Sequence, residues 1–330
     1  MADPLPWLME PYNPSARYLA LTRLLDQAPD SPDALAARLA IPDSDPARPI
    51  LDAQFVGSDT AGGPAGYWVK PDIGYSPKYR ATVWQLIFLA QLGAPPVEPI
   101  RRACDYVLDH SRYLADRHGR RDGRFTASKG RQGAINCLNG NLLWALQRLG
   151  FGDDRRLAEA REATAGAIDR HGFGCRYNDD QACAWGAVKV LRAFLEAAAD
   201  QRTPIVEGAI DQATTLLLSV PLLEAAYPAA RAVSPRWFQL CFPLGFNCDI
   251  LEALTALVLA GQGDHPHMQD AVEWLVSKQG ADGKWTLERV PGKMWTSFGR
   301  VGQPNKWVTI RALEAVKAVR QELSGHADLR

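Results

Sequence analysis

Two cysteines, Cys175 and Cys183, bracket the stretch Gly172-Phe173-Gly174-Cys175-Arg176-Tyr177-Asn178-Asp179-Asp180-Gln181-Ala182-Cys183, which runs straight into an Ala-rich helical pattern from Ala184. A helix start favours the thiolate, the form of cysteine that takes protons, attacks carbon and binds metals. The short loop keeps both sulfurs near one rim, and Cys137, just ahead of another helical pattern, enters the same rim. Three readings fit: a thiol pair doing acid-base or covalent work, a Cys-bound metal such as zinc held by Cys137, Cys175 and Cys183, or three small buried hydrophobes. Cys104, with Ala103 and Tyr106 on an amphipathic helix, reads as a packing residue.

A carboxyl group buried among aromatic rings has a raised pKa and becomes a proton donor. Asp179 and Asp249 are the candidates, and with Cys175, Cys183 and Tyr79 they form the expected catalytic set. Aromatic and polar residues gather just before or at the start of the apolar helical segments: Lys78, Trp84, Asn141, Trp185, Trp237, Phe242, Phe246 and Trp307. An aromatic cup with few polar groups suits an apolar ligand, and its π faces suit a carbocation. Lys78, Arg80, Lys293 and Lys306 are the basic residues placed to hold an anionic head group. The six histidines fall mainly at outer-helix ends or turns, which argues against a histidine-rich metal site. No cofactor is predicted beyond the cysteine-bound metal alternative.

Positioning these residues falls to helices, because apolar residues recur at three and four spacing along almost every long segment and no region alternates as a strand does. Inner helices, rich in Ala and Leu, are expected over Ala16 to Leu25, Tyr79 to Leu92, Asn139 to Leu149, Ala184 to Ala197, Asp249 to Leu259 and Val308 to Val319. More amphipathic outer helices are expected over Pro32 to Leu39, Val97 to Asp109, Arg156 to Arg170, Ile205 to Ser219 and His267 to Lys278. Glycines at Gly93, Gly150 and Gly261 mark stops, and Pro95-Pro96, Pro204 and Pro266 mark starts. The pattern predicts an all-α, (α/α)6 arrangement whose long outer-to-inner loops carry the unusual residues.

Trp274-Leu275, Gln279, Gly283 and Trp285 end one outer helix in a Gln-x-x-x-Gly-x-Trp turn, and graded copies occur upstream. They are Gln54 with Gly66-Tyr67-Trp68 after the insert Gly57 to Ala65; Tyr113-Leu114, His118, Gly123 and Phe125; and Ile168 to Phe173. The turn resembles the QW motif of the squalene cyclase and prenyltransferase repeat superfamily. That resemblance implies an α/α toroid in which the glutamine caps the outer helix and stacks on the tryptophan. The segment around Cys175 and Cys183 resembles the linalool dehydratase-isomerase family, which implies two cysteines flanking an alkenol and sharing acid-base work. Departures are specific. Asn141 stands where that family has a catalytic histidine, and Trp84 where it has a tyrosine. Tyr177-Asn178-Asp179-Asp180 and Asp43-Ser44-Asp45-Pro46 each lack one aspartate of the class II cyclase Asp-x-Asp-Asp motif. Asp153-Asp154-Arg155-Arg156-Leu157 is simpler as a helix N-cap than as a diphosphate motif, and no histidine matches the zinc ligands of the protein prenyltransferases.

Composition sets the remaining bounds. A chain of 330 residues that is 47% hydrophobic can bury a large core and is expected to form one domain over 1–330. Lys plus Arg equals Asp plus Glu at 37 each, so no long-range field favours nucleic acid. The N-terminal stretch has no basic-then-apolar pattern, and no apolar run approaches the roughly 18 residues of a membrane span. A cytoplasmic chain with reduced cysteines is expected. The expected function is terpenoid cyclase-like: an isomerase or lyase binding an isoprenoid or similar apolar substrate in a central aromatic cavity for isomerisation, (de)hydration or cyclisation. A cysteine-ligated metalloenzyme and a non-catalytic lipid or terpenoid carrier are the alternatives.

Overall fold

A computed structural model describes residues 2–55, 57, 65–113, 122–128, 133–227 and 233–327; Leu114, His118 and most of the 57–65 insert lie outside the described residues. The chain is all-α. Among the described residues there are thirteen α-helices and no strand, only isolated bridges that clasp loops. In chain order the helices are α1 (Leu5–Leu8), α2 (Pro14–Arg23), α3 (Pro32–Leu39), α4 (Ala47–Asp52), α5 (Thr82–Gln91), α6 (Glu98–His110) and α7 (Asn136–Leu146). They continue as α8 (Arg155–His171), α9 (Ala184–Glu196), α10 (Pro204–Leu217), α11 (Ile250–Leu259), α12 (Pro266–Ser277) and α13 (Lys306–Ala327). No described helix is long and apolar enough to cross a membrane.

The expected ranges differ from these in places that have local causes. Helix α5 starts at Thr82 rather than Tyr79 because Tyr79 sits at φ 68°, a left-handed backbone that cannot open a right-handed helix. Helix α7 starts early, at Asn136, so Cys137 lies in its first turn; it ends in a π-turn over Gln147–Phe151, where Gly150 takes φ 90°. The short helices α1 and α4 are too brief to show a period. As the sequence suggests, Asp154 caps α8, its carboxylate accepting from the Arg156 amide.

Two sets of helices differ in burial. All ten residues of α5 are buried, and the buried set continues through α2, α7, α9, α11 and α13. Within it α2 packs on α13, α13 on α11, α11 on α9, α9 on α7 and α7 on α5. The Ser15 hydroxyl donates to the Leu92 carbonyl at 2.8 Å, joining α2 to the end of α5. The amphipathic set lies against it: α3 on α2, α6 on α5, α8 on α7, α10 on α8 and α9, and α12 on α11 and α13. In α6 the residues Ile100, Ala103, Cys104, Val107 and Leu108 face the core while Arg101, Asp105 and Asp109 do not, which is why the segment is helical at all. Helices α7 and α9 touch backbone to backbone. A Cβ at Gly140 would lie 2.3 to 2.6 Å from the Lys189–Val190 main chain, so only glycine fits there.

One docking device recurs at the starts of the buried helices. Trp285 is 1% exposed; its amide donates to Thr309 Oγ1 at 3.0 Å and its indole to the Leu275 carbonyl at 2.8 Å. Trp68 repeats this, its amide on Thr82 Oγ1 at 3.0 Å and its indole on the Ile50 carbonyl at 2.7 Å. Phe125 does so with Asn139, which accepts from the Phe125 amide and donates to its carbonyl. Each case buries the aromatic residue of a motif copy and hands its main chain to a polar side chain in the first turn of the next buried helix. Gln279 plays a part unlike the expected stacking: its amide donates to the Gly283 carbonyl at 2.9 Å and closes the turn.

Two stability measurements check this device. Trp285→Ala is expected to cost about 3 to 5 kcal/mol in denaturant unfolding, as for a fully buried large side chain. Thr309→Val keeps the side-chain shape but removes the acceptor of the buried Trp285 N–H and a long donor to the Trp285 carbonyl, and is expected to cost about 1 to 3 kcal/mol. Wild-type stability in either variant would show that the turn is not pinned in this way.

Candidate functional site

The loop before α9 folds back on itself. The Cys183 amide donates to the Phe173 carbonyl at 2.9 Å and the Cys175 amide to the Gln181 carbonyl at 3.1 Å, with Gly174 and Ala182 bridged between them. This register puts Cys175 and Cys183 on the same side of the clasp, where the two thiols act on each other. The sulfurs are unequal. Cys175 is lowered to about 6, first because the Cys183 thiol donates to it and further because the Tyr177 and Asn178 amides do. Cys183 is raised far above the ordinary thiol range, as donor in that bond and by burial. Cys183 is the N-cap of α9, yet the lowered thiol is Cys175, because Cys183 lies on the donor side of their contact and is the more buried sulfur. Cys137 is nearby and is pushed up to about 11 by burial, with the charge on Cys175 adding to the effect.

Cys175 opens on a cleft of about 180 Å³ lined by Arg124, Asn136, His171 and Arg176 among others. None of these polar residues is in the expected set. The signal was present in the run His171-Gly172-Phe173-Gly174-Cys175-Arg176, where two cationic-type side chains flank the thiol in sequence.

Beside Cys137 stands an aromatic wall. The Tyr79 ring lies 5.0 Å from Trp84 and stacks at 6.3 Å on Phe246, which meets Trp185 at 6.3 Å; Lys78 Nζ sits 4.2 Å above Phe246. Asn141 ties α7 to this wall by donating to the Gly245 carbonyl at 3.0 Å. A Cβ at Gly245 or Gly292 would come within 2.9 Å of the Tyr79 ring, so the phenol is clamped between two glycines. Burial raises its pKa to about 12, against the opposing pull of Arg289 and Arg236, so it remains a proton donor at neutral pH. A tyrosine held at positive φ costs on the order of 1 to 3 kcal/mol, and such strain concentrates at working sites. The structure thus brings together Cys175, Cys183, Cys137, Tyr79, Trp84, Asn141, Trp185, Phe246 and Lys78.

Other expected site residues lie elsewhere. Asp249 is not a lone acid: it caps α11, accepts from the Glu252 and Cys241 amides and pairs with Arg311 at 2.9 Å. It does for α11 what Thr309 does for α13. Asp179 is exposed in a left-handed turn, where water rather than aromatic rings surrounds it. Trp237 packs on Tyr227 and donates to the Leu222 carbonyl, away from the thiols. Phe242 and Trp307 stack on each other at 5.1 Å and line a different cavity. Lys306, read as an anion binder, is spent on Glu10 and the Trp7 carbonyl. Among the described residues no three His, Cys, Asp or Glu side chains are grouped to hold a metal, so Cys137, Cys175 and Cys183 do not make a ligand set. Cys104 is fully buried on α6 and its thiol is raised by desolvation.

The buried helices also carry charge that their apolar periodicity does not suggest. Lys189 and Glu252 are each 1% exposed and pair at 2.7 Å; Arg192 joins Glu252 at 2.8 Å and lies 3.6 Å over the Trp144 ring. No protein-family model matches the chain, and no curated protein matches it.

The thiol asymmetry has a direct readout. Alkylation of Cys175 in the native protein is expected to rise through pH about 6 and level off above it, because a lowered pKa leaves the sulfur ionised at every higher pH. In Cys183→Ala the S–H donor is gone, and the midpoint is expected to move up toward the ordinary thiol value of roughly 8.5. Peptide mapping should show Cys104 unlabelled throughout. An unmoved midpoint in Cys183→Ala would remove the sulfur–sulfur bond as the cause.

Proposed function

We propose that the chain is an α/α-toroid enzyme of the squalene cyclase and prenyltransferase repeat type, a single domain that uses Cys175 and Cys183 as an acid-base pair on an unsaturated, largely apolar alcohol. The observation that carries this reading is the pair of unequal thiols, of which Cys175 opens on a polar cleft, with the aromatic wall on the Cys137 side of the pair. The toroid reading is supported by the succession of packed buried helices from α2 round to α5, the Ser15 link between those two, and the repeated Trp68, Phe125 and Trp285 docking. A core cluster reaching from Leu8 to Val316 supports one folding unit.

In the proposed reaction the Cys175 thiolate removes a proton from a carbon next to the carbinol carbon while the Cys183 thiol gives its proton to the departing hydroxyl. The C–H and C–O bonds break, a C=C bond forms and water leaves. Proton transfer from Cys175 to Cys183 across their hydrogen bond then restores the starting state. Run in reverse, the same steps hydrate an alkene, and shifting the site of protonation isomerises one. The aromatic wall from Tyr79 to Trp185 would hold the hydrocarbon, with its π faces turned to any developing cation, and the polar cleft would take the hydroxyl.

The test is solvent-deuterium exchange and dehydration measured on a panel of short alkenols and terpenols, followed by mass spectrometry. Wild type is expected to turn over at least one, with a rate rising through pH about 6. Cys175→Ala and Cys183→Ala should each lose roughly 10²- to 10⁴-fold, the usual weight of general acid-base catalysis, while keeping the wild-type melting temperature. No turnover of the panel, or turnover indifferent to Cys175→Ala, would overturn the reading.

A further inference from the structure

Between the buried helices lies a second cavity, of about 40 Å³, enough for roughly three waters. Residues of α2, α5, α7, α9, α11 and α13 all contribute to its lining, and among the charged ones Arg23, Arg192 and Arg311 stand against Glu252 and Glu314. Arg23 pairs with Glu314 at 3.1 Å with side-chain exposures of 20% and 29%, forming a neutral outer wall that solvent reaches. The deeper set is unbalanced. Among the described residues Lys189, Arg192 and Arg311 pair with Asp249 and Glu252, three positive charges against two negative. The neighbouring Cys241 and Cys248 do not supply it, since burial holds both thiols protonated.

Arg192 and Arg311 keep only 13% and 11% of their side chains exposed, and a cation so poorly solvated is stabilised by a further counter-charge. Arg192 is the side chain with capacity to spare. Its ring-stacked guanidinium bonds Glu252 through Nη1, and among the described residues its other N–H groups have no protein acceptor. Arg311, by contrast, is committed to Asp249 and the Cys241 carbonyl. A planar fork with free donors, fixed on an aromatic face beside a small cavity, is the arrangement that takes two oxygens of a carboxylate or phosphate at once.

We propose that this cavity is a binding site for a small oxyanion, carboxylate or phosphate in character, held by Arg192 with Arg23 and Arg311 around it. The site is separate from the thiol pair and independent of the reaction assigned to it.

Thermal melts of the full chain at constant ionic strength test this, with sodium acetate, inorganic phosphate or chloride exchanged against one another. Acetate or phosphate is expected to raise the melting temperature in a saturable way that chloride does not reproduce, and whichever of the two saturates lower identifies the preferred anion. Arg192→Met removes the excess charge as well as the fork, so it should fold and lose the response; Arg192→Lys should keep a weakened one. Exposed Arg155→Met, and Cys175→Ala at the thiol site, should respond as wild type does. No stabilisation by either oxyanion beyond that of chloride would overturn the proposal, as would an undiminished response in Arg192→Met.

Discussion

The constraint on which the molecule depends is the pinning of each long loop to the helix it enters. A loop crossing the ends of packed helices cannot satisfy its own backbone, and a buried amide without a partner costs more than most side-chain contacts return. Here a polar side chain at the start of a buried helix takes the main chain of a residue 8 to 24 positions upstream, in the loop leading into it: Thr82 for Trp68, Asn139 for Phe125, Asp249 for Cys241 and Thr309 for Trp285. The aromatic ring, where there is one, is driven under the loop by its apolar area, and in Trp68 and Trp285 it is fixed there by the indole N–H. Rigid loop ends are what allow the intervening residues to hold chemistry in place.

Cys183 uses the same junction differently. At the start of α9 the pinning partner is not a hydroxyl or an amide side chain but the Phe173 carbonyl, which takes the Cys183 amide. The Cys183 side chain is thereby freed from a capping duty and meets Cys175 instead. Two thiols in contact at a half-buried edge cannot both ionise, since the second charge would face the first across a weakly screened gap. The more exposed sulfur takes the charge and the more buried one keeps the proton. One contact thus moves two identical groups in opposite directions, as it does in paired carboxylates.

Much of this was legible in the residues. Helix periodicity, glycine stops and the turn ending in Trp285 place the elements to within a few residues, and the spacing of Cys175 and Cys183 marks the thiol loop. What periodicity does not carry is direction. Trp237, Phe242 and Trp307 look equivalent to Trp185 and Phe246 in the sequence, but differ in which side of their loop they occupy, and that is decided by tertiary hydrogen bonds such as the one from Trp237 to the Leu222 carbonyl. Asp249 misleads for a related reason: a capping carboxylate and a catalytic one share a position, and only its bonds to Arg311 and two amides separate them. Lys189, Arg192 and Glu252 are charges inside helices that periodicity marks as apolar, and only the packing of α9 on α11 shows that they pair.

Those charges bear on the thiols as well as on the cavity. Lys189 lies on α9 between the two, and its charge lowers the Cys137, Cys241 and Cys248 thiols that burial raises. Its backbone is the one that Gly140 touches, so the α7–α9 contact fixes the height of Lys189 as firmly as the position of Cys137. Glu252 in turn is held below the usual carboxylate range by Lys189, Arg192 and Arg311 although burial opposes it. Paired buried charges of this kind add little net stability over apolar packing, but they penalise any other registry of the helices. The α7–α9–α11 contact is therefore set by charge as well as by shape, and the thiol loop that begins α9 inherits that register.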